Sequence, residues 1–202
     1  MSALILRQQK QALRKRMRAL RDAAAPDQRE IWSAAISARV LALPAYQTAR
    51  VIHCYLPIRS EVDTRAIIEH ALAHGKRVAI PLWQANIDET LCCEIHTLAD
   101  DAFEVDAMGL RTPRQRDWVT PDEIDVVFVP LLAFAQTSLP GRSSARGGGQ
   151  PRYMRLGYGA GFYDRFLRNM RALKVGLAFA LQRVDVLPQA ETDTLLDDVI
   201  TE

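Results

Sequence analysis

A chain of 202 residues, 49% hydrophobic and 25% charged, is long enough to bury a core and has the balance of an ordinary soluble protein. No apolar run nears the roughly 20 residues of a membrane span, and Met1 to Leu6 is too short for the core of a secretory signal. Three cysteines, two of them adjacent (Cys92 and Cys93), give neither a disulfide framework nor zinc-ligand spacing, so a reduced, cytoplasmic protein is expected.

The net charge of +2 hides an asymmetry. Residues 1–21 carry seven basic side chains and no acid, which leaves 19 basic against 24 acidic residues in the remainder. An Arg-rich, acid-poor start suits an organelle transit peptide or a nucleic-acid arm. It also suits an amphipathic helix docked on the core, because Leu6, Leu13, Met17 and Leu20 recur at helical spacing. Lys10 and Arg14, four apart, line up beside that face.

A second helix is predicted over 28–42, with Ile31, Ala35, Ala38 and Ala42 inward and Pro44 ending it. Val51 to Leu56 reads as a strand. Residues 65–74 read as a helix with Ile67, Ile68, Ala71 and Leu72 inward, capped by Gly75. Strands follow at Val78 to Leu82, around Cys92 to His96, at Ile124 to Phe134 and, as the last core strand, at Lys174 to Phe179. Short apolar runs alternating with helices predict one open, mostly parallel α/β sheet flanked by helices, a single domain over 1–202.

From Ala135 to Met154 the apolar pattern lapses for 20 residues rich in Gly, Ser and Arg, which predicts a long mobile loop. The string Arg155-Leu-Gly-Tyr-Gly-Ala-Gly-Phe-Tyr163 follows, and Phe162, Phe166, Leu167, Met170 and Leu173 then recur at helical spacing. Alternating glycines let a backbone approach an anion and turn its N–H groups toward it, and a helix N-terminus adds partial positive charge. The spacing matches neither the dinucleotide fingerprint nor the P-loop, so a tight structural turn fits it equally well. Asp164 next to a phosphate cradle would repel the ligand unless Mg²⁺ bridged them; dipole compensation in a first helical turn is its bland reading.

The string from Arg155 to Leu167 resembles the signature of the 5-formyltetrahydrofolate cyclo-ligase family. The resemblance extends over essentially the whole chain, through Lys10-Gln-Ala-Leu-Arg14, Glu61-Val-Asp-Thr64, Gly75-Lys-Arg-Val-Ala-Ile-Pro81, Asp125-Val-Val-Phe-Val-Pro130, Asp193 and Val199-Ile-Thr-Glu202. It implies a Rossmann-like fold and an enzyme that uses ATP and Mg²⁺ to close 5-formyltetrahydrofolate into the methenyl form. It implies that Lys10 and Arg14 contact ATP phosphates and that Arg155, Leu156, Gly157, Tyr158, Gly159, Ala160, Gly161, Phe162 and Tyr163 form a nucleotide loop. Tyr158 and Phe162 of that loop would also touch the folate, beside Glu61, Leu56 and Trp83. Asp164 and Asp193 match metal-binding acids. A monomer that binds neither nucleic acid nor membrane is expected. The chain departs from the family pattern in a longer stretch between Phe134 and Arg155, in Ala135, and in Thr112 and Thr192.

On the residues alone, Glu61 also reads as a solvated acid before a helix capped by Asp63 or Thr64. Trp83 reads as core, His70 and His74 as surface histidines, and Cys54, Cys92 and Cys93 as buried small hydrophobes. A nucleic-acid-binding relative without catalysis is the alternative class that the basic start and the Arg/Gly loop leave open.

Overall fold

A computed structural model of the chain describes residues 3–82, 91–105, 111–137 and 152–202. Three helices open it: α1 (Ala3–Asp22), α2 (Pro26–Ala42) and the short α3 (Pro44–Thr48). They are followed by β1 (Val51–His53), α4 (Arg65–Ala73), β2 (Arg77–Leu82) and β3 (Leu91–Ile95). The small hairpin β4 (Phe103–Val105) and β5 (Arg111–Pro113) precedes β6 (Asp117–Val119), β7 (Val126–Pro130), β8 (Ala133–Gln136) and β9 (Tyr153–Leu156). The chain closes with α5 (Phe162–Phe166), β10 (Leu173–Leu177) and β11 (Asp198–Ile200).

The expected open sheet is present, with seven strands in the order β11-β10-β7-β1-β2-β3-β6. The strands from β11 to β2 are parallel, and β3 and β6 add an antiparallel edge. Strand β1 pairs with β2 on one side and β7 on the other, so the chain order reverses at β1 and opens a crevice beyond the carboxyl ends of β1 and β7. One face of the sheet is covered by a cluster containing Ile36, Val40, Ile67, Ile68 and Phe128; the other packs Val127, Val129, Phe166 and Leu167. A third cluster joins Met17 of α1 to Leu132, Ala133, Ala135 and Leu156, and so seats the basic helix on the β8–β9 hairpin.

Several elements differ from expectation. In α1, Leu20 is 44% exposed and Arg21 is 2% exposed, so the buried stripe runs through Met17 to an arginine. In α2 the buried residues are Ser33, Ile36, Ser37 and Val40, while Ile31 is 63% exposed and Ala38 and Ala42 lie outward. Serines are small enough to sit against a sheet when an oxygen finds a partner: Asp63 N donates to Ser33 Oγ at 3.1 Å. The apolar run 124–134 is two strands, because Leu131 and Leu132 turn out of the sheet. Gln182 Nε2 secures that turn by donating to both carbonyls at 2.7 and 3.2 Å.

Both described ends of the 135–154 stretch are strand where a loop was expected. Ala135 pairs with Met154 and Gln136 with Tyr153, so backbone hydrogen bonds rather than apolar periodicity order these residues. Residues 138–151 lie outside the described residues. Helix α5 stops at Phe166, and Leu173 begins β10 instead of continuing the helix. Lys174 to Phe179 is not the last strand, since β11 follows and pairs parallel to β10. Helix α4 and its cap are as predicted: Ile67, Ile68 and Ala71 are buried, and Gly75 has φ +70°.

Candidate active site

A cavity of about 540 Å³ opens at the crevice beyond β1 and β7. Its walls hold Tyr55, Leu56, Pro57, Ile58 and Glu61 after β1, Pro130 at the end of β7, Lys10 and Arg14 from α1, residues 155–164 and Asp193. Every site residue read from the sequence therefore lines one cavity, except Trp83, which lies outside the described residues. Thr112 also lines it, beside Arg111 on β5.

At one end, charges converge from elements far apart in sequence. Lys10 Nζ donates to Asp193 Oδ2 at 2.5 Å, and Arg155 Nη2 donates to Asp164 Oδ1 at 2.6 Å. The two acids are tied to neighbouring backbone. Thr194 N donates to Asp164 Oδ1 at 3.3 Å, and Thr194 Oγ1 donates to the Asp164 carbonyl at 3.1 Å. Asp193 is one residue from that clasp, and so two acids 29 positions apart face one space. Burial lowers the pKa of Arg14 and of Arg155, opposed in both by the charges of Asp164 and Asp193. Arg155 Nε and the Tyr163 hydroxyl are buried with no hydrogen-bond partner among the described residues.

The glycine loop is shaped around Arg14. Arg14 Nε donates to the Gly157 carbonyl at 2.8 Å, and Gly159, at φ +112°, passes so close that a Cβ there would sit 3.3 Å from the guanidinium carbon. Gly161 has φ +69° and begins α5. This helix has only five residues, so the expected contribution of a long helix N-terminus is replaced by loop backbone and arginine side chains.

The other end is apolar with one buried acid. Glu61 is 8% exposed, which removes its reading as a solvated acid. Its Oε2 accepts the Ile58 amide at 3.0 Å. Burial raises its pKa, opposed by hydrogen bonds from Tyr158 and Ile58 and by the charge of Arg21. Asp63 serves the start of α4 instead, accepting the Arg65 amide at 2.9 Å.

The sequence reading missed Arg21, whose guanidinium donates to Ser60 Oγ at 3.0 Å and to the Tyr158 hydroxyl at 2.9 Å. It also missed Thr194, Tyr55 and Pro130. The only available signal for Arg21 was its place seven residues after Arg14, two helical turns along the same face. His70 and His74 stack at 3.9 Å and do not line the cavity, with Tyr46 OH against His70 Nδ1 at 2.8 Å. The three cysteines are buried and unpaired with one another.

The family model described as the 5-formyltetrahydrofolate cyclo-ligase family matches residues 6–202. The chain belongs to that family. A 5-formyltetrahydrofolate cyclo-ligase of Escherichia coli K12 is 30% identical over 195 residues, covering 94% of this chain and 96% of the relative. A cyclo-ligase of Haemophilus influenzae is 27% identical over 198 residues, covering 96% and 97%. The solution structure of an Aquifex aeolicus 5,10-methenyltetrahydrofolate synthetase superposes with a TM-score of 0.75 at 27% identity, covering 95% of this chain and 88% of that one. Family membership makes the chain a cyclo-ligase-type enzyme acting on folate. Among the described residues, no helix is long and apolar enough to cross a membrane.

Proposed function

We propose that the protein uses ATP and Mg²⁺ to cyclise 5-formyltetrahydrofolate to 5,10-methenyltetrahydrofolate, releasing ADP and phosphate. The observation that carries this reading is the polarity of the cavity: one buried carboxylate, Glu61, at an apolar end, and Lys10, Arg14 and Arg155 with two acids at the other. A pterin presents parallel N–H donors that a carboxylate can accept in pairs, which suits Glu61, with Leu56, Tyr158 and Phe162 as apolar walls. Lys10, Arg14 and the backbone of 155–163 suit a triphosphate. Arg155 Nε, without a hydrogen-bond partner among the described residues, is a donor that a phosphate oxygen would satisfy.

The donor set also fits magnesium. Asp164 and Asp193 offer hard oxygen ligands in a cavity that would hold phosphates, and Mg²⁺ is commonly bound by one or two carboxylates plus substrate phosphates. Among the described residues no cluster of three or more acids, histidines or cysteines could hold an ion without a substrate's help. When bound, Mg²⁺ would neutralise charge on the phosphoryl oxygens.

In this reading the formyl oxygen attacks the γ-phosphorus and the bridging bond to ADP breaks, leaving the formyl carbon with a phosphate leaving group. The N10 lone pair then attacks that carbon, N10 loses its proton, and the carbon–oxygen bond breaks with its electrons going to phosphate. Lys10, Arg14 and Arg155 stabilise the charge that develops on the transferred group, while the loop holds donor and acceptor in line. Without ligand the same cations neutralise Asp193 and Asp164, so nucleotide binding exchanges internal ion pairs for external ones. The inward turn of Lys10, Arg14 and Arg21 favours this over a nucleic-acid arm, and three buried free thiols suit the reducing cytoplasm.

The test is growth of the methenyl absorbance from purified protein and 5-formyltetrahydrofolate. Turnover is expected only with ATP and a divalent cation together. No turnover under those conditions, with both ligands bound, would refute the reading.

A further inference from the structure

Arg21 is 2% exposed, yet among the described residues it forms no ion pair with Asp164 or Asp193, which pair with Arg155 and Lys10. Its Nε donates to Ser60 Oγ, which in turn donates to Asp22, and its Nη1 donates to the Tyr158 hydroxyl. Tyr158 hydrogen-bonds onward to Glu61. The Arg21 guanidinium also lies 5.8 Å from the Tyr158 ring centre. A buried arginine is costly unless its donors are used. Here they go to two neutral hydroxyls, of which Ser60 donates on to Asp22 and Tyr158 to Glu61.

We propose that Arg21 is a positioning residue for the folate end. It holds the Tyr158 ring and hydroxyl in place against the buried Glu61 carboxylate, which would receive a substrate's N–H edge, and adds a positive charge on that side of the acid. The inference rests on Glu61 as the folate contact. The groups facing Glu61 come from four elements: Arg21 on α1, the Ile58 amide in its own loop, Tyr158 in the glycine loop, and the phenols of Tyr55 and Tyr163. Arg21 is the only cation among them. Burial alone raises the Glu61 pKa, so the arginine's charge works against the dominant effect. Because α1 also carries Lys10 and Arg14, one rigid helix sets both ends of the cavity.

The experiment is calorimetric affinity for 5-formyltetrahydrofolate and, separately, for ATP with Mg²⁺, from pH 5 to 8, in Arg21→Met, Arg21→Lys, Glu61→Gln and the Arg21→Met/Glu61→Gln pair. Arg21→Met should weaken folate on the order of ten-fold and leave ATP within about two-fold. Removing the cation raises the Glu61 pKa, so the acid limb of folate affinity should move to higher pH. Arg21→Lys keeps the charge and should restore that midpoint while retaining part of the affinity loss, since lysine lacks the fork that bonds two hydroxyls. In the Glu61→Gln background Arg21→Met should cost less than half as much. If Glu61→Gln leaves folate affinity unchanged, the folate reading of Glu61 fails first. If it weakens folate but Arg21→Met shifts both ligands equally with an unmoved acid limb, Arg21 is structural packing and the inference is overturned. Should Arg21→Met not fold, an Arg21→Lys enzyme with wild-type folate affinity overturns it equally.

Discussion

Asp164→Asn separates the structural from the chemical role of the acids at the phosphate end. The substitution keeps shape and an acceptor for the Thr194 amide, but removes the charge facing Arg155. The Arg155 side chain is 3% exposed and that of Asp164 28%. Breaking a fully buried pair by removing one partner costs about 3–5 kcal/mol. Partial exposure of the acid and the remaining charge of Asp193 reduce this, so a loss of about 2 kcal/mol is expected for the ligand-free protein, or roughly 4–8 °C in Tm for a chain of this size. A second, independent effect follows if the acid also holds magnesium. Half-maximal activity at saturating ATP and 5-formyltetrahydrofolate should then require on the order of ten-fold more Mg²⁺ or greater. Asp193→Asn should behave alike with a smaller stability loss, because its partner Lys10 is 13% exposed and can turn to water. The double mutant should be less than additive in its magnesium requirement, since both acids would serve one ion. Differential scanning calorimetry and an Mg²⁺ titration measure the two effects separately. Lowered Tm with wild-type magnesium curves in both single mutants would return the acids to purely structural ion pairing.

Two further outcomes follow from the geometry. Gly159→Ala puts a Cβ at φ +112° and 3.3 Å from the Arg14 guanidinium, so about 1–3 kcal/mol of backbone strain and a raised KM for ATP are expected; an unchanged ATP KM would show that this loop segment is not near the nucleotide. His53 is fully buried, and burial, opposed by backbone groups of His53 and Phe128 beside the ring, pulls its pKa down from 6.5 to about 3. A base with a lowered folded pKa binds its proton more readily when unfolded, so its stabilising effect is whole above about pH 6.5 and is lost as pH falls toward 3. His53→Leu should therefore reduce the slope of unfolding free energy against pH in that window by up to about 1.4 kcal/mol per unit; identical slopes in denaturant titrations at pH 4 to 6 would contradict it.

Local chemistry made parts of this protein legible in its sequence. The 65–74 helix follows from apolar residues on one face and a glycine whose φ of +70° other residues rarely adopt. The glycine alternation and Asp164 fitted an anion site and a tight structural turn equally well, and it was the string of motifs over the whole chain that carried the family. The inward face of α2 was hidden because Ser33 and Ser37 are polar by composition and buried by context, with a partner for Ser33 thirty residues away. Arg21 was hidden for the same reason: charge predicts solvent, and only the fold brings Ser60 and Tyr158 within reach of its donors. The ends of the 135–154 stretch and strand β11 are ordered by backbone ladders, which carry no side-chain period. That Asp193 meets Lys10 across 183 positions is a property of the folded chain alone, because a contact of that separation is set by sheet order and packing rather than by neighbouring residues.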